Sequence, residues 1–192
     1  MFSHFNTLIK IVIVAVLSIL FLLFSMLWYF SSGLPDYKKL ENYEPPVSSR
    51  VYANNGNLIA EYSIEKRLFI PYETIPSTII NAFISAEDKN FFDHTGIDPQ
   101  GIIRAVINNF KNIINNKRLE GASTITQQVA KNFLLTNEIS IKRKIKEAIL
   151  AFRIEKAYSK ERILELYLNQ IYLGSGTYGI AAASLEYFDK SV

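Results

Sequence analysis

The segment Ala86-Glu87-Asp88-Lys89-Asn90-Phe91-Phe92-Asp93-His94-Thr95-Gly96-Ile97-Asp98 joins two helical patterns. Before it, Ile79, Ile80, Phe83 and Ile84 recur at helical spacing; after it, Asp98-Pro99 supplies an N-cap and first-turn residue for the next helix. Glu87 is thereby placed at a helix end, facing a loop. A carboxylate directly after an apolar face tends toward partial desolvation, which raises its pKa and suits it to proton transfer near neutral pH. Solvated capping is the ordinary role of a Glu at a helix end, so Glu87 is a candidate base that the rest of the chain must support.

Downstream the pattern stays helical. Ile102, Ile103, Val106, Ile107, Phe110, Ile113 and Ile114 recur at the 3.6-residue period and predict an amphipathic helix from Asp98 to Asn115 with its apolar stripe in the core. Asn115-Asn116-Lys117-Arg118 breaks the period. Gly121-Ala122-Ser123-Thr124-Ile125-Thr126-Gln127-Gln128 then opens a second helix near Ser123 or Thr124, running to about Leu135. A third starts at Ser140 with Ile141, Ile145, Ala148, Ile149 and Phe152 on one face. A fourth, capped by Ser159, runs through Ile163, Leu164, Tyr167, Leu168 and Ile171 to a break at Gly174-Ser175-Gly176, and Ala181 to Leu185 begin a fifth. Upstream, Ser49 to Ala53 and Leu58 to Ile64 flank Asn55-Gly56, a two-residue hairpin signal, and Arg67 to Tyr72 reads as a third short strand.

The 192 residues hold one domain with a sizeable core plus an anchor. Net charge is only +3, so an anionic partner must be met by a local cluster. There are no cysteines, which excludes disulfides, thiolate nucleophiles and cysteine metal sites. From Ile11 to Pro35 no residue is charged, and a spanning helix needs roughly 20 apolar residues. A cleavable signal peptide would have a shorter apolar region and a small-x-small site. This segment ends instead in Met26-Leu27-Trp28-Tyr29-Phe30, aromatics suited to the interface. The organisation read from these features is a cytoplasmic arm over 1–10, a transmembrane anchor over 11–33, a juxtamembrane linker over 34–48 ending in Pro45-Pro46, and a domain over 49–192 outside the membrane.

Three further signals carry chemistry. Gly121 to Gln128 sets hydroxyls and amides at a helix N-terminus, where free N–H groups and a partial positive charge suit a sugar or phosphate; ordinary capping accounts for one hydroxyl but not for the Gln pair. Lys142, Arg143, Lys144 and Lys146, followed by Arg153, Lys156, Lys160 and Arg162, interleave with Glu138, Glu147, Glu155, Glu161 and Glu165. Many of these are i,i+4 pairs on a wet face, but a few converging on a cleft would bind a diphosphate. Nucleic acid is disfavoured for a domain tethered outside a membrane. Glu165 lies among apolar neighbours, so it is expected to be partly buried and to need a cation, a metal or a second acid group beside it. Two such glutamates invite comparison with paired-carboxylate sugar chemistry. His94 is one of two histidines, lacks partners for a metal site, and is read as a structural hydrogen-bonding group.

Together these residues resemble the peptidoglycan glycosyltransferase domain, glycosyltransferase family 51, of class A penicillin-binding proteins and monofunctional transglycosylases. Glu87-Asp88-x-x-Phe91-x-x-His94-x-Gly96 is similar to its first motif and Gly121-x-Ser123-Thr124-Ile125-Thr126-Gln127-Gln128 to its second. Arg143-Lys144-x-x-Glu147 resembles the third. Lys160-x-x-Ile163-Leu164-Glu165-x-Tyr167-Leu168-Asn169, with Gly174 and Gly179, resembles the fourth and its extension.

The resemblance implies a mainly α, lysozyme-like helical lobe with a small N-terminal β-hairpin, preceded by one transmembrane helix and polymerising lipid II on the outer face of the bacterial cytoplasmic membrane. Glu87 would be the base and Glu165 a second catalytic carboxylate. Lys131, Arg143, Lys144, Lys160 and a divalent cation, Mg²⁺ or Mn²⁺ with ligands unassigned, would neutralise the leaving diphosphate. Ser123, Thr124, Gln128 and Asn132 would line the donor site with Gly121 and Gln127, and Glu147 would hold Arg or Lys side chains. Asp88, Phe91, His94 and Asn169 complete the implied substrate-binding set. Other cell-wall synthesis proteins are implied as partners. Family domains continue past Tyr187-Phe188, so the lobe is expected to be incomplete at Val192, and Asp189 stands where glycine is common. The alternatives are a non-catalytic membrane-anchored remnant that binds lipid II and a lysozyme-like hydrolase using Glu87 as its acid.

Overall fold

The computed structural model describes residues 2–41, 43, 49–56, 58–62, 66–136 and 138–192. The Pro45-Pro46 end of the linker and Ser63-Ile64 of the second strand lie outside the described residues. The fold is mainly α, as the sequence predicts. Helix α1 (Phe2–Ser31) takes in most of the 1–10 arm, and its Ile9–Ser31 portion is long and apolar enough to cross a membrane. It ends where Ser32 Oγ turns back to donate to Tyr29 O at 2.8 Å. The chain beyond Ser32 docks onto the domain. A 3₁₀ turn, Tyr37–Leu40, is capped by Asp36 and inserts Leu40 into the core.

Strands β1 (Ser49–Tyr52) and β2 (Leu58–Tyr62) form the antiparallel hairpin that Asn55-Gly56 predicts, Gly56 taking φ +84°. The third strand departs from its predicted form. Only β3 (Lys66–Arg67) is strand, and it pairs parallel with β5 (Thr177–Tyr178), which pairs antiparallel with β4 (Tyr172–Gly174). Ile70 leaves the ladder because the Asn169 amide satisfies both its backbone groups, accepting from its N–H and donating to its C=O, each at 2.9 Å.

Five helices build the lobe around a sixth. They are α2 (Ser77–Glu87), α3 (Pro99–Ile114), α4 (Ile125–Leu134), α5 (Ile141–Ala157) and α7 (Ile180–Phe188), with α6 (Lys160–Gln170) at the centre. Ile163, Leu164, Leu166, Tyr167 and Leu168 of α6 are buried on every side, against Ile80 and Ile84 of α2, Val129 of α4, and Leu150 and Ile154 of α5. Caps fall where the sequence puts them: Ser140 accepts from Arg143 N, Ser159 from Arg162 N, and Thr124 with Gln127 forms a capping box.

Helix α3 corrects an expectation. Its stripe does not enter the core: Ile103 is 61% exposed, Val106 65%, Phe110 70% and Ile114 67%, and only Gly101 and Ala105 are buried. Helical periodicity reports that one face is apolar, not what covers it.

Asp98, the N-cap of α3, gives a pH prediction. Burial alone pushes its carboxyl up. The Gly101 N–H, the Asn90 amide at 3.0 Å, His94 and the Gln100 N–H outweigh that and hold it below the usual carboxylate range. A depressed folded pKa contributes stability above the unfolded value that is lost as pH falls through the folded one. Stability is therefore expected to fall as pH drops below the ordinary Asp range, and Asp98→Asn to flatten that part of the profile. Thermal unfolding across acid pH checks it; an unchanged slope counts against it.

Candidate active site

The end of α2 is held by a buried network. Asp88 accepts from the Ile125 N–H at 2.9 Å and faces His94 Nε2 at 3.0 Å from either oxygen. Because the Gly96 N–H donates to His94 Nδ1 at 3.1 Å, the ring proton is assigned to Nε2, which donates to Asp88. Thr124 Oγ1 in turn donates to Gly96 O at 2.7 Å. Gly96 sits at φ +94°, and a Cβ there would meet Ala151 O of α5 at 2.7 Å, so no other residue lets the loop approach so closely. These bonds join α2, the 88–98 loop, α4 and α5.

Over this base opens a cleft of about 1110 Å³. Glu87 projects into it from the last turn of α2, and Gln128 Nε2 donates to Glu87 Oε2 at 2.9 Å. Glu87 is exposed rather than desolvated, because the apolar face of α2 turns to the core and its end turns to the cleft. Beneath it the Tyr167 hydroxyl is buried with no hydrogen-bond partner among the described residues. Burial first, and the Glu87 charge second, push that hydroxyl well above the usual tyrosine range.

Helix α5 supplies the opposite wall. Lys144 Nζ donates to Ser123 Oγ at 2.6 Å and to Glu147 Oε2 at 2.9 Å. Arg143 Nη1 lies 3.0 Å from Glu147 Oε1 as an ion pair, but the angle is poor for a hydrogen bond, and Arg143 Nε and Nη1 are buried without a hydrogen-bond acceptor among the described residues. Lys131 of α4, Gly121 and Gln127 complete this side. Among the described residues six cations and four carboxylates line the cleft; every one of the carboxylates accepts from or pairs with a protein group, while Lys89, Arg118 and Lys131 have no ion pair there. What remains favours an anion.

The second carboxylate of the cleft is Glu147, not Glu165. Glu165 is buried as expected, but its partners are structural: it accepts from the Tyr72 N–H at 2.8 Å and pairs with Arg162, which also donates to Leu40 O at 3.0 Å. Asn169 clamps Ile70 on the same side. Lys160 is also out of the cleft. Its ammonium donates to His94 O at 2.7 Å and Glu155 at 2.8 Å, over the Phe91 ring. Phe91 is core, Thr124 is a cap, His94 serves Asp88, and Asn132 is exposed away from the cleft lining. Thus Glu165→Gln is expected to lower stability by about 1–3 kcal/mol through its lost charged hydrogen bonds, with no further loss in turnover once the folded fraction is allowed for. A turnover loss well beyond the unfolded fraction would return Glu165 to the chemistry.

Sequence reading missed the third wall. Arg104 and Asn108 of α3 reach Glu120 at 3.3 and 2.7 Å, and Asn109 brackets the Glu120 backbone. Together with Arg118 and Lys89 these residues extend the cleft beyond Gly121. The signal was the i,i+4 pair Arg104 and Asn108 on the polar face of α3, which passes for a solvated surface. As for the implied Mg²⁺ or Mn²⁺, no three His, Asp or Glu side chains converge among the described residues, and Asp88 and Glu147 are held by protein donors. This donor set does not fit a protein-held metal site.

Residues 55–192 match the family model described as Transglycosylase. The chain is 54% identical over 167 residues to penicillin-binding protein 1A of Rickettsia felis (strain ATCC VR-1525 / URRWXCal2), covering 87% of this chain and 21% of that protein. It is 47% identical over 187 residues to penicillin-binding protein 1A of Aquifex aeolicus (strain VF5), covering 95% and 25%, and 46% identical over 159 residues to that of Neisseria flavescens, covering 83% and 20%. The chain thus spans about a fifth to a quarter of the length of the curated relatives it matches. The matched span takes in all the walls of the cleft, from Glu87 on α2 to Glu147 on α5, and by that match the chain belongs to the transglycosylase family, glycosyltransferase family 51.

Proposed function

We propose that this chain is a peptidoglycan glycosyltransferase unit that joins lipid II to a growing glycan strand. The observation that carries this reading is an exposed carboxylate, Glu87, across one cleft from Lys144 and an Arg143 guanidinium with two buried nitrogens that lack a hydrogen-bond acceptor among the described residues. The Glu87 carboxylate takes the proton of the acceptor N-acetylglucosamine 4-hydroxyl. That oxygen forms its bond to C1 of the donor N-acetylmuramic acid from the face opposite the leaving group, the C1–O bond to phosphate breaks with inversion, and undecaprenyl diphosphate departs with the electron pair. A diphosphate needs charge neutralisation rather than a proton, and Arg143, Lys144 and Lys131 supply it. Glu147 fixes the two α5 cations. No step is routed through a divalent cation.

The bilayer enters through α1. The short arm over 1–10 is cytoplasmic and the domain over 49–192 lies outside, where lipid II is presented. Other cell-wall synthesis proteins are the natural partners of such a unit.

The test is polymerisation of labelled lipid II in detergent by the purified chain, with and without a chelator. Glycan polymer and released undecaprenyl diphosphate are expected, and polymer that persists under chelation assigns neutralisation to the protein's own cations. Release of short muropeptides from finished glycan, without polymer, would mean a hydrolase. Tight lipid II binding without turnover would mean a non-catalytic binder.

A further inference from the structure

A second cavity, about 640 Å³ and lined mainly by apolar side chains, lies between α1 and α5. Its floor is Ile145, Ala148, Ile149 and Phe152 of α5; Ile102 closes one side and Leu27 and Ser31 of α1 the end. It shares Lys144 and Gln127 with the catalytic cleft. Lys144 turns its ammonium to Ser123 and Glu147 on the cleft side, so what it offers the groove is its aliphatic stem. One residue thus divides a polar compartment from an apolar one.

We propose that this groove holds the head-group-proximal isoprene units of the lipid whose diphosphate is neutralised by Arg143 and Lys144. The proposal rests on the transferase reading of the cleft. Continuity fixes the direction: one end opens at the cations, and the other ends on the described helix fit to cross a membrane, so a chain leaving the diphosphate passes from cleft to bilayer without crossing a polar wall. The lining also selects the occupant. A peptide would need hydrogen-bond partners along its backbone, yet besides Lys144, whose ammonium is turned to the cleft, the lining has only Ser31, bonded to Arg153, and Gln127, whose Oε1 accepts from the Thr124 N–H. A hydrocarbon chain needs none. Arg153 and Lys156, which stacks on Phe152 at 4.6 Å, bracket the far end as an interface-facing pair.

The probe is a diazirine-bearing farnesyl diphosphate, photolysed with the full chain in detergent and mapped by mass spectrometry. Labelling is expected on the 141–152 segment and at Leu27, with competition by undecaprenyl diphosphate. Ala148→Phe, which fills the floor, is expected to cut labelling roughly tenfold with the unfolding temperature kept; if that variant unfolds, Ile149→Ala with weakened labelling serves instead. Label confined to the α3 face, no label in the groove, or competition by phosphatidylglycerol but not by undecaprenyl diphosphate overturns the proposal. Because labelling requires no turnover, groove labelling without polymerisation would fault the transferase reading alone, and polymerisation without groove labelling would fault the groove alone.

Discussion

Replacing Glu87 with Gln is expected to lower lipid II polymerisation by about 10²- to 10⁴-fold, the range that a positioned general base supplies, while leaving the unfolding temperature unchanged. The unfolding temperature holds because of where Glu87 stands. It is exposed at the end of α2, and its side chain accepts from Gln128 Nε2, a bond that an amide oxygen accepts equally well. The substitution removes the negative charge and with it the ability to take a proton, and keeps the shape. The Asp88 network beneath it touches Glu87 through the backbone alone, so the change stays within the roughly 0.5 kcal/mol typical of surface substitutions. Lipid II binding, read by competition at equilibrium, should also survive, because Arg143 and Lys144 lie on the other wall. Polymerisation within a few-fold of wild type would remove Glu87 from the chemistry; loss of cooperative unfolding would show instead that the carboxylate holds the fold.

Much of this site was legible because chemistry and capping coincide in the sequence. Asp98-Pro99, Thr124 with Gln127, Ser140 and Ser159 each announce a helix start, and the residues that face the cleft from α2, α4 and α5 lie within a turn or two of an announced end. Two errors share one cause. A helical period states that a face is apolar, and an apolar neighbourhood states that a carboxylate is buried, but neither names the partner. The α3 stripe therefore read as core and is open, and Glu165 read as catalytic although Arg162 and the Tyr72 N–H had claimed it. Those partners lie 3 and 93 positions away; the second is a backbone group, which no side-chain pattern encodes. Strands β4 and β5 escaped for a related reason. They are three and two residues long around a Gly-Ser-Gly turn, and β5 pairs with β3 across the whole lobe.

Asp88→Ala is expected to do what Glu87→Gln does not, lowering both stability and turnover. The Asp88 side chain is 2% exposed and accepts from the Ile125 N–H and His94 Nε2, so its removal strands two buried donors and frees the α4 start from the α2 end. Each buried donor left without its acceptor costs about 1–3 kcal/mol, and the two together are, for a domain of this size, a fall in unfolding temperature on the order of 10 °C. Asp88→Asn separates the contributions. An amide oxygen still accepts from the Ile125 N–H, but its NH₂ group faces a protonated His94 Nε2. Relief requires the ring proton to move to Nδ1, which ends the bond from the Gly96 N–H and loosens the loop against α5. Asn is therefore expected to fall between wild type and Ala in unfolding temperature. Its turnover should drop further than its stability, since Glu87 and Gln128 ride on the two helix ends that Asp88 joins. Equal stability for Asp88→Ala and wild type would mean that the α2–α4 junction is held by packing of Phe91, Ile125 and Tyr167 alone, with the carboxylate a passenger in the loop.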